Sequence, residues 1–216
     1  MAALVGGLTL LNTQLFGIST QEYLPWIAVG FLAWGLISVT MLEGADTFIA
    51  AGGILRQGSI PMMVFVWRVL LRNLIYFAHN LVVIIIAAFV LGFWKKANLL
   101  LGLPGLLLVL VNLSWVVVLL GIISARFRDV PQIVASVMQL ALFMTPVFWM
   151  PGKLTQHRFI LEANPFYYLV DAIRSPMIGE ALDPRTPVVL IAAAVLGWIL
   201  AFGVFTVTRR RIVHFL

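Results

Sequence analysis

Apolar residues in this chain form long continuous runs and do not alternate with polar residues. A helix needs about 20 predominantly apolar residues to cross the hydrocarbon core of a bilayer. The runs therefore predict about six membrane-spanning helices, at 2–18, 24–42, 73–93, 104–123, 131–150 and 187–208. The run 2–18 is short, and we expect it to be the distal part of a first span that begins ahead of this sequence. Tyr23 and Trp26, at the start of the second span, suit the aromatic belt of a membrane interface.

The segment at 43–60, EGADTFIAAGGILRQGSI, is too polar and too rich in glycine to cross a membrane. Glu43, Asp46 and Arg56 flank a small apolar face, a pattern that predicts a short amphipathic helix at the membrane surface. Such a helix either anchors the chain to lipid or docks a cytoplasmic partner. The residues themselves do not decide between these two roles.

The fifth span is followed by a break and then by a helix that is too short to cross the membrane. Pro146 interrupts the apolar run, and Asn164 followed by Pro165 combines a capping side chain with a proline in the first helical turn. Pro176 predicts that this helix ends near Ser175, after about eleven residues, which is half the length of a span. We interpret the segment as a re-entrant or interfacial half-helix at the outer face of the membrane.

Aromatic residues are concentrated on both sides of the break. They are Phe143, Phe148, Trp149, Phe166, Tyr167 and Tyr168. Two interpretations remain open: the tyrosines anchor the chain at the interface, or the aromatic rings form an outer gate that stacks on sugar rings or lipid head groups. Asp171 and Arg174, three residues apart on one helix, are predicted to form an ion pair in this gate.

Three polar residues, Gln132, Ser136 and Gln139, recur at helical spacing in the otherwise apolar fifth span. Leaving such groups unpaired in hydrocarbon is unfavourable, so the stripe is expected to face protein, water or a substrate. Hydrogen bonding to another helix and lining a path for a polar substrate are equally compatible with this pattern.

The composition agrees with an all-α integral membrane protein that forms a single transmembrane domain over 1–216. Hydrophobic residues make up 62% of the chain and charged residues 10%, whereas a soluble domain carries roughly 25% charged residues. Six spans leave little chain for a soluble module. A nucleotide-binding or catalytic domain would therefore be small or lie on another chain.

The basic residues predict an orientation. If each span crosses once, one side holds eight arginines, including the run 209–211, and the other side holds six lysines and arginines. Basic residues are enriched in cytoplasmic segments. We therefore expect both termini and the 43–60 segment in the cytoplasm, and the 151–186 stretch outside.

The sequence lacks common catalytic motifs. It contains no GxxxxGKS/T, HExxH or GxSxG motif and no cysteine. We predict a transport subunit with no catalytic residue, metal site or cofactor of its own. A membrane-embedded glycosyl- or phosphotransferase is a less favoured alternative, because such an enzyme needs clustered acidic residues and the eight acids here are dispersed.

Three motifs together resemble the permease subunits of type 2 ABC exporters: ARFRDVPQIV at 125–134, TPVFWMP at 145–151 and ANPFYYLVDAIR at 163–174. The run RNLIYFAHNLVV at 72–83 looks like the branch that exports O-antigen, capsule and teichoic-acid polysaccharides. The resemblance covers essentially the whole chain, and it implies a cytoplasmic amphipathic helix and the start of the first span ahead of residue 1.

This resemblance implies a homodimer in the bacterial cytoplasmic (inner) membrane that works with two copies of a separate cytoplasmic ABC ATPase. The ATPase would bind ATP and Mg, and this chain would carry no cofactor. A lipid-linked polysaccharide would pass between the two subunits, and a drug or a lipid is the alternative cargo. The subunits would contact membrane lipids and would not bind nucleic acid. The segment 43–60 would be the coupling helix that contacts the ATPase through Glu43, Asp46 and Arg56, and 153–177 would form the re-entrant gate.

The residues expected along the transport path combine the polar stripe with the aromatic residues around the break. They are Gln132, Ser136, Gln139, Phe143, Phe148, Trp149, Phe166, Tyr167 and Tyr168.

Overall fold

A computed structural model describes residues 2–16, 19–57, 60–91, 99–150 and 158–215. All regular secondary structure in these residues is α-helical, which confirms the all-α prediction. In chain order the helices are α1 (Ala2–Phe16), α2 (Thr20–Ala50), α3 (Gly52–Arg56), α4 (Met63–Leu91), α5 (Leu99–Arg126), α6 (Val130–Met144), α7 (Arg158–Glu162), α8 (Pro165–Ile178) and α9 (Arg185–Phe215).

Four of these helices, α2, α4, α5 and α9, are long and apolar enough to cross a membrane. They coincide with the predicted second, third, fourth and sixth spans. The predicted first and fifth spans are realised as α1 and α6, which have 15 residues each and are shorter than the length of about 20 that a crossing requires. The fold is that of an all-helical, multi-pass membrane protein.

The second span extends beyond its predicted end. α2 continues unbroken to Ala50, so the prediction of a separate surface helix over 43–60 is wrong for its first half. The reason is that this part of α2 still buries an apolar side chain: Phe48 is fully buried, and a Cβ atom on Gly121 of α5 would lie 2.8 Å from its Cδ2. α3 is what remains of the surface element, and residues 58–59 lie outside the described residues.

An ion pair joins the last part of α2 to the first part of α4. Glu43 Oε2 lies 2.6 Å from Arg72 Nη2 and accepts a 2.5 Å hydrogen bond from Asn73 Nδ2. Asn73 is 2% exposed, and Nδ2 also donates to the carbonyl of Val69. The structure therefore places Glu43 in a contact between helices, and its predicted contact with the ATPase stays a prediction.

We expect Glu43→Ala to lower the stability of the protein by about 1–3 kcal/mol, because it leaves one amide hydrogen of the buried Asn73 without an acceptor. The thermal unfolding midpoint of the purified protein in detergent measures this effect. Asp46→Ala is the matched control, since Asp46 is exposed on the same helix, and it should leave the midpoint near that of the wild type. Equal midpoints for the two variants would contradict the structural role of Glu43.

The two ends of the helix bundle differ in chemistry. One end, which we call the arginine end, brings together α3, the last turns of α2 and α5 and the first turns of α4, and it carries Arg56, Arg72 and Arg126. The opposite end brings together the first turns of α2, α5 and α9 with α8 and the segment after α6, and it carries Asp171 and Arg174. The second end contains most of the sequence features that predicted a function.

Candidate functional site

The candidate site is built where the chain leaves α6. Thr145 has extended backbone angles (φ −95°, ψ 136°), because the residue before a proline is disfavoured in a helical conformation. Residues 145–150 form no regular helix, and we call them the break. Pro146 thus ends α6 as predicted, but it does so earlier than the predicted span end at 150. α8 packs beside the break, against α2, α5 and α9, and we call the break and α8 together the junction.

Carbonyl groups at the junction that have no helical partner accept hydrogen bonds from side chains far along the chain. The part of the chain that the structure describes contains three such bonds: Asn164 Nδ2 to Met144 O at 3.2 Å, Arg174 Nη1 to Pro146 O at 2.5 Å, and Tyr23 Oη to Phe148 O at 2.6 Å. Non-helical backbone inside a membrane protein persists only where protein or water satisfies its polar groups. These three side chains therefore fix the path of the break.

Asn164 connects two helix ends. Its Oδ1 accepts a 3.0 Å hydrogen bond from the backbone N–H of Phe166, so it caps the N-terminus of α8 as predicted. Its Nδ2 donates to Thr145 Oγ1 at 3.0 Å as well as to the last carbonyl of α6. One amide group thus fixes the start of α8 relative to the end of α6.

Among the described residues, Arg174 has the largest fully buried side chain, which is 1% exposed. Its guanidinium carbon lies 3.5 Å from the ring centroid of Trp26, a cation–π contact between α8 and α2. Burial lowers the pKa of Arg174 to about 10, while the nearby Asp171 acts in the opposite direction. The guanidinium is therefore still protonated at neutral pH, and α8 carries a buried positive charge.

The predicted ion pair between Asp171 and Arg174 is not formed as a direct contact. Within the described residues, Asp171 accepts hydrogen bonds from Ser175 Oγ at 2.5 Å and from Thr186 Oγ1 at 2.6 Å. Arg174 contacts Trp26 and the break instead. The two side chains point toward different neighbours, because each has a closer partner in another part of the chain. Asp171 thereby joins α8 to the start of α9.

α8 does not end near Ser175 as predicted, but continues through Pro176 to Ile178. A proline inside a helix leaves the carbonyl four residues earlier, here that of Ala172, without its N–H donor. Gly105 of α5 lies against this carbonyl so closely that a Cβ atom there would overlap the oxygen. A hydrogen on Cα of Gly105 can approach the unpaired oxygen, and close packing against α5 therefore accommodates the proline.

Two residues of α2 that contact the junction have a different role from the one that the sequence predicted. Tyr23 and Trp26 were expected in an aromatic belt at the membrane interface, but they are 1% and 7% exposed and bind the break and Arg174. Their partners lie more than a hundred residues away in the sequence. The aromatic residues and their position on a helix were visible in the sequence, but no local signal identifies such distant partners.

The aromatic residues of α8 are mostly covered. Tyr168 is buried and donates to the carbonyl of Glu162, Phe166 packs edge-to-face on Trp34, and Tyr167 is half-buried beside Tyr168 with ring centroids 5.2 Å apart. Burial and the nearby Asp171 raise the pKa of Tyr167 to about 12, so its hydroxyl is neutral at neutral pH. The structure therefore does not present these rings together as an open stacking surface.

The polar stripe of α6 lies on an open surface. Gln132, Ser136 and Gln139 are all exposed, and the Ser136 hydroxyl donates to the carbonyl of Gln132 one turn earlier. Among the described residues, none of the three forms a hydrogen bond with another helix of this chain. Hydrogen bonding inside one subunit therefore does not account for the stripe, and a role toward a second subunit, water or cargo remains.

The aromatic residues before the loop continue this stripe. Phe143 follows Gln139 at helical spacing on the same face of α6 and is 62% exposed. Its ring packs edge-to-face on Phe148 with centroids 5.7 Å apart, and Trp149 Nε1 donates to its carbonyl at 3.3 Å. Six of the nine predicted path residues thus form one surface, which we call the α6 face: Gln132, Ser136, Gln139, Phe143, Phe148 and Trp149.

A polar cleft of about 420 Å³ opens beside the buried part of α8. It is lined by charged and aromatic side chains, among them Trp26, Tyr167, Asp171, Glu180 and Asp183. The cleft lies at the same end of the bundle as the aromatic end of the α6 face. The site therefore combines a fixed, buried junction with two polar surfaces open to the surroundings.

The chain is similar to proteins of known class. A family model described as ABC-2 type transporter matches residues 1–178. The O-antigen export system permease protein RfbA of Myxococcus xanthus is 25% identical over 194 residues, which cover 85% of this chain and 74% of the relative. The daunorubicin resistance ABC transporter permease protein DrrB1 of Streptomyces coeruleorubidus is 28% identical over 189 residues, which cover 80% of this chain and 65% of the relative.

The matched region runs from α1 to the last residue of α8 and includes the break, the α6 face and the junction. The two relatives have similar identity and different printed cargoes, so they support the predicted permease class without singling out its polysaccharide branch. Because the family model covers most of the sequence, this chain belongs to the ABC-2 type transporter family of membrane proteins.

Proposed function

We propose that this chain is the membrane subunit of an ATP-driven exporter whose cargo is a lipid-linked polysaccharide. The observation that carries the proposal is the α6 face, on which amide and hydroxyl groups are exposed along a membrane helix without a partner on another described helix. In hydrocarbon such groups are unfavourable, so they need a polar counterpart. A cargo rich in hydroxyl groups provides one, because each amide both donates and accepts hydrogen bonds.

The aromatic end of the α6 face suits the same cargo. Phe143, Phe148 and Trp149 present apolar rings next to polar groups, and the flat faces of sugar rings stack on such surfaces while their hydroxyls bind amides. The polar cleft beside α8 adds carboxylates and Tyr167 at the same end. In a homodimer, two α6 faces turned toward each other would enclose a path with these properties.

The energy source would lie on another chain. We place the arginine end of the bundle in the cytoplasm, because basic residues are enriched on that side of membranes, with both termini on the same side. Asp46 and Arg56 are exposed there, and with α3 they form the proposed docking surface for a cytoplasmic ABC ATPase that binds ATP and Mg. Glu43 pairs with Arg72, so we base the proposed docking surface on Asp46, Arg56 and α3.

We expect the double variant Gln132→Leu/Gln139→Leu to reduce export on the order of tenfold or more, since two hydrogen bonds of about 1 kcal/mol each are lost along the path. The measurement is transport of lipid-linked polysaccharide into vesicles that contain this chain and its ATPase partner. Asn80→Leu on α4 is the matched control: it makes the same chemical change at a side chain that hydrogen-bonds only its own helix among the described residues. Unchanged export by the double variant with normal ATPase assembly would refute a path along the α6 face.

Drug export is the second candidate, and the similarity to DrrB1 favours it. A strain that lacks this chain separates the two cargoes. Loss of surface polysaccharide with unchanged sensitivity to anthracyclines supports the polysaccharide proposal. Normal surface polysaccharide with increased anthracycline sensitivity refutes it and supports drug export.

A further inference from the structure

The first half of α4 presents both charged and apolar side chains to the surroundings. Only 28% of the most apolar stretch of α4 is buried, compared with 67% for α2. Its exposed residues recur every three or four positions, which places them on one helical face. They line a shallow, open strip along this one helix face, which we call the α4 groove: Val64, Trp67, Arg68, Leu71, Arg72, Ile75 and Tyr76.

The α4 groove carries a net positive charge. The charge of Arg72 is balanced by Glu43 at 2.6 Å. Arg68 has no such balance: its guanidinium lies 5.6 Å from the ring centroid of Phe65, and no carboxylate in the described part of the chain lies within 4 Å of its nitrogen atoms. A charged group at the edge of an apolar membrane surface is unfavourable unless it reaches water or an ion of opposite charge.

The rest of the groove is apolar and has the length for a lipid chain. From Arg68 to Tyr76 the helix rises about 12 Å, which is most of the roughly 15 Å that one leaflet contributes to a hydrocarbon thickness of about 30 Å. Leu71, Ile75 and Tyr76 are each more than half exposed, and Trp67 is exposed beside Arg68, as expected for a residue at the head-group level. The positive charge of Arg68 and the apolar residues along the same helix face together suit a ligand that has an anionic head group and an apolar tail.

We propose that the α4 groove is a binding site for an anionic phospholipid. The lipid phosphate lies against the Arg68 guanidinium, whose planar N–H groups suit two phosphate oxygens, and Arg72 adds a second cation that is shared with Glu43. An acyl chain runs along Leu71, Ile75 and Tyr76. This site is separate from the α6 face and does not depend on the cargo of the exporter.

Native mass spectrometry of the full chain in detergent tests this site. The probes are phosphatidylglycerol and phosphatidylethanolamine with identical acyl chains. We expect phosphatidylglycerol to bind about fivefold more tightly than phosphatidylethanolamine. One basic residue near an anionic lipid surface contributes about 1 kcal/mol, which corresponds to that factor. Glycerol phosphate, which has the anionic head without acyl chains, should not displace the bound lipid.

Arg68→Gln should remove the preference and leave the circular dichroism and the elution volume unchanged, because Arg68 lies outside the core. Arg209→Gln is the matched control, since Arg209 is exposed near the end of another long helix, and it should retain the preference. Leu71→Gln should weaken retention of both lipids. Equal binding of the two lipids by the wild type, an unchanged preference in Arg68→Gln, or displacement by glycerol phosphate would overturn the proposal.

Discussion

Replacing Arg174 with methionine is expected to lower the stability of the protein by about 1.5–3 kcal/mol, the range for losing a hydrogen bond that involves a charged group. Methionine keeps much of the length of the side chain but cannot donate to the carbonyl of Pro146. It also leaves the carboxylate of Asp171, which is 4% exposed, without a nearby positive charge. Since a typical domain is stable by about 5–15 kcal/mol, we expect a large fall in the yield of monodisperse protein and in its unfolding midpoint.

Two further variants make this test specific. Arg185→Met is the matched control, because Arg185 forms its ion pair with Glu162 at the exposed surface, and exposed pairs contribute about 0–1 kcal/mol. Adding Asp171→Asn to Arg174→Met should recover part of the lost stability, since the uncompensated carboxylate is then absent. If Arg174→Met is as stable as Arg185→Met, the assignment of Arg174 as the residue that fixes the break is wrong.

Gly105→Ala is expected to have the second large effect. A Cβ atom at this position would overlap the carbonyl oxygen of Ala172 and lie 2.8 Å from its carbonyl carbon. Both atoms belong to the backbone of α8, so α5 and α8 must move apart, and overpacking of this kind costs about 1–3 kcal/mol or more. The separation also removes the close approach that accommodates Pro176.

Gly102→Ala, one turn earlier on α5, is the matched control for Gly105→Ala. A Cβ atom there would lie 3.1 Å from Cγ of Met177, the middle of a flexible side chain that can rotate away. Unfolding midpoints of the two variants, measured in the same detergent, should differ by several degrees, with Gly102→Ala near the wild type. Similar midpoints would show that α5 and α8 are not in close contact at Gly105.

Features that depend on neighbouring residues were predictable from the sequence. The pair Asn164–Pro165 starts α8 because the cap and the fixed φ angle of proline act within one turn. Pro146 ends α6 through its effect on the residue before it. The helical spacing of Gln132, Ser136 and Gln139 placed them on one face, and the structure shows all three exposed on it.

Features that depend on distant partners were not predictable in the same way. Spacing on a helix paired Asp171 with Arg174, but each side chain found a closer partner elsewhere, at Thr186 and Pro146. The polar residues that begin at Glu43 predicted that the second span ends there. In the structure Arg72 pairs with the Glu43 carboxylate, and α2 continues. Local rules describe what a residue favours when no other helix is present, and these contacts come from other helices.

The sequence by itself determined the class of the molecule, since the lengths of the apolar runs, the scarcity of charge and the proline positions require an all-helical membrane protein with a break and a half-helix. The tertiary structure alone decided which polar groups are used inside the protein and which stay open. It placed Arg174 and Glu43 in contacts between helices, and it left the α6 face and the α4 groove exposed. The reason is that a polar group in a membrane protein takes the nearest partner in space, and the fold, not the order of residues, sets that distance.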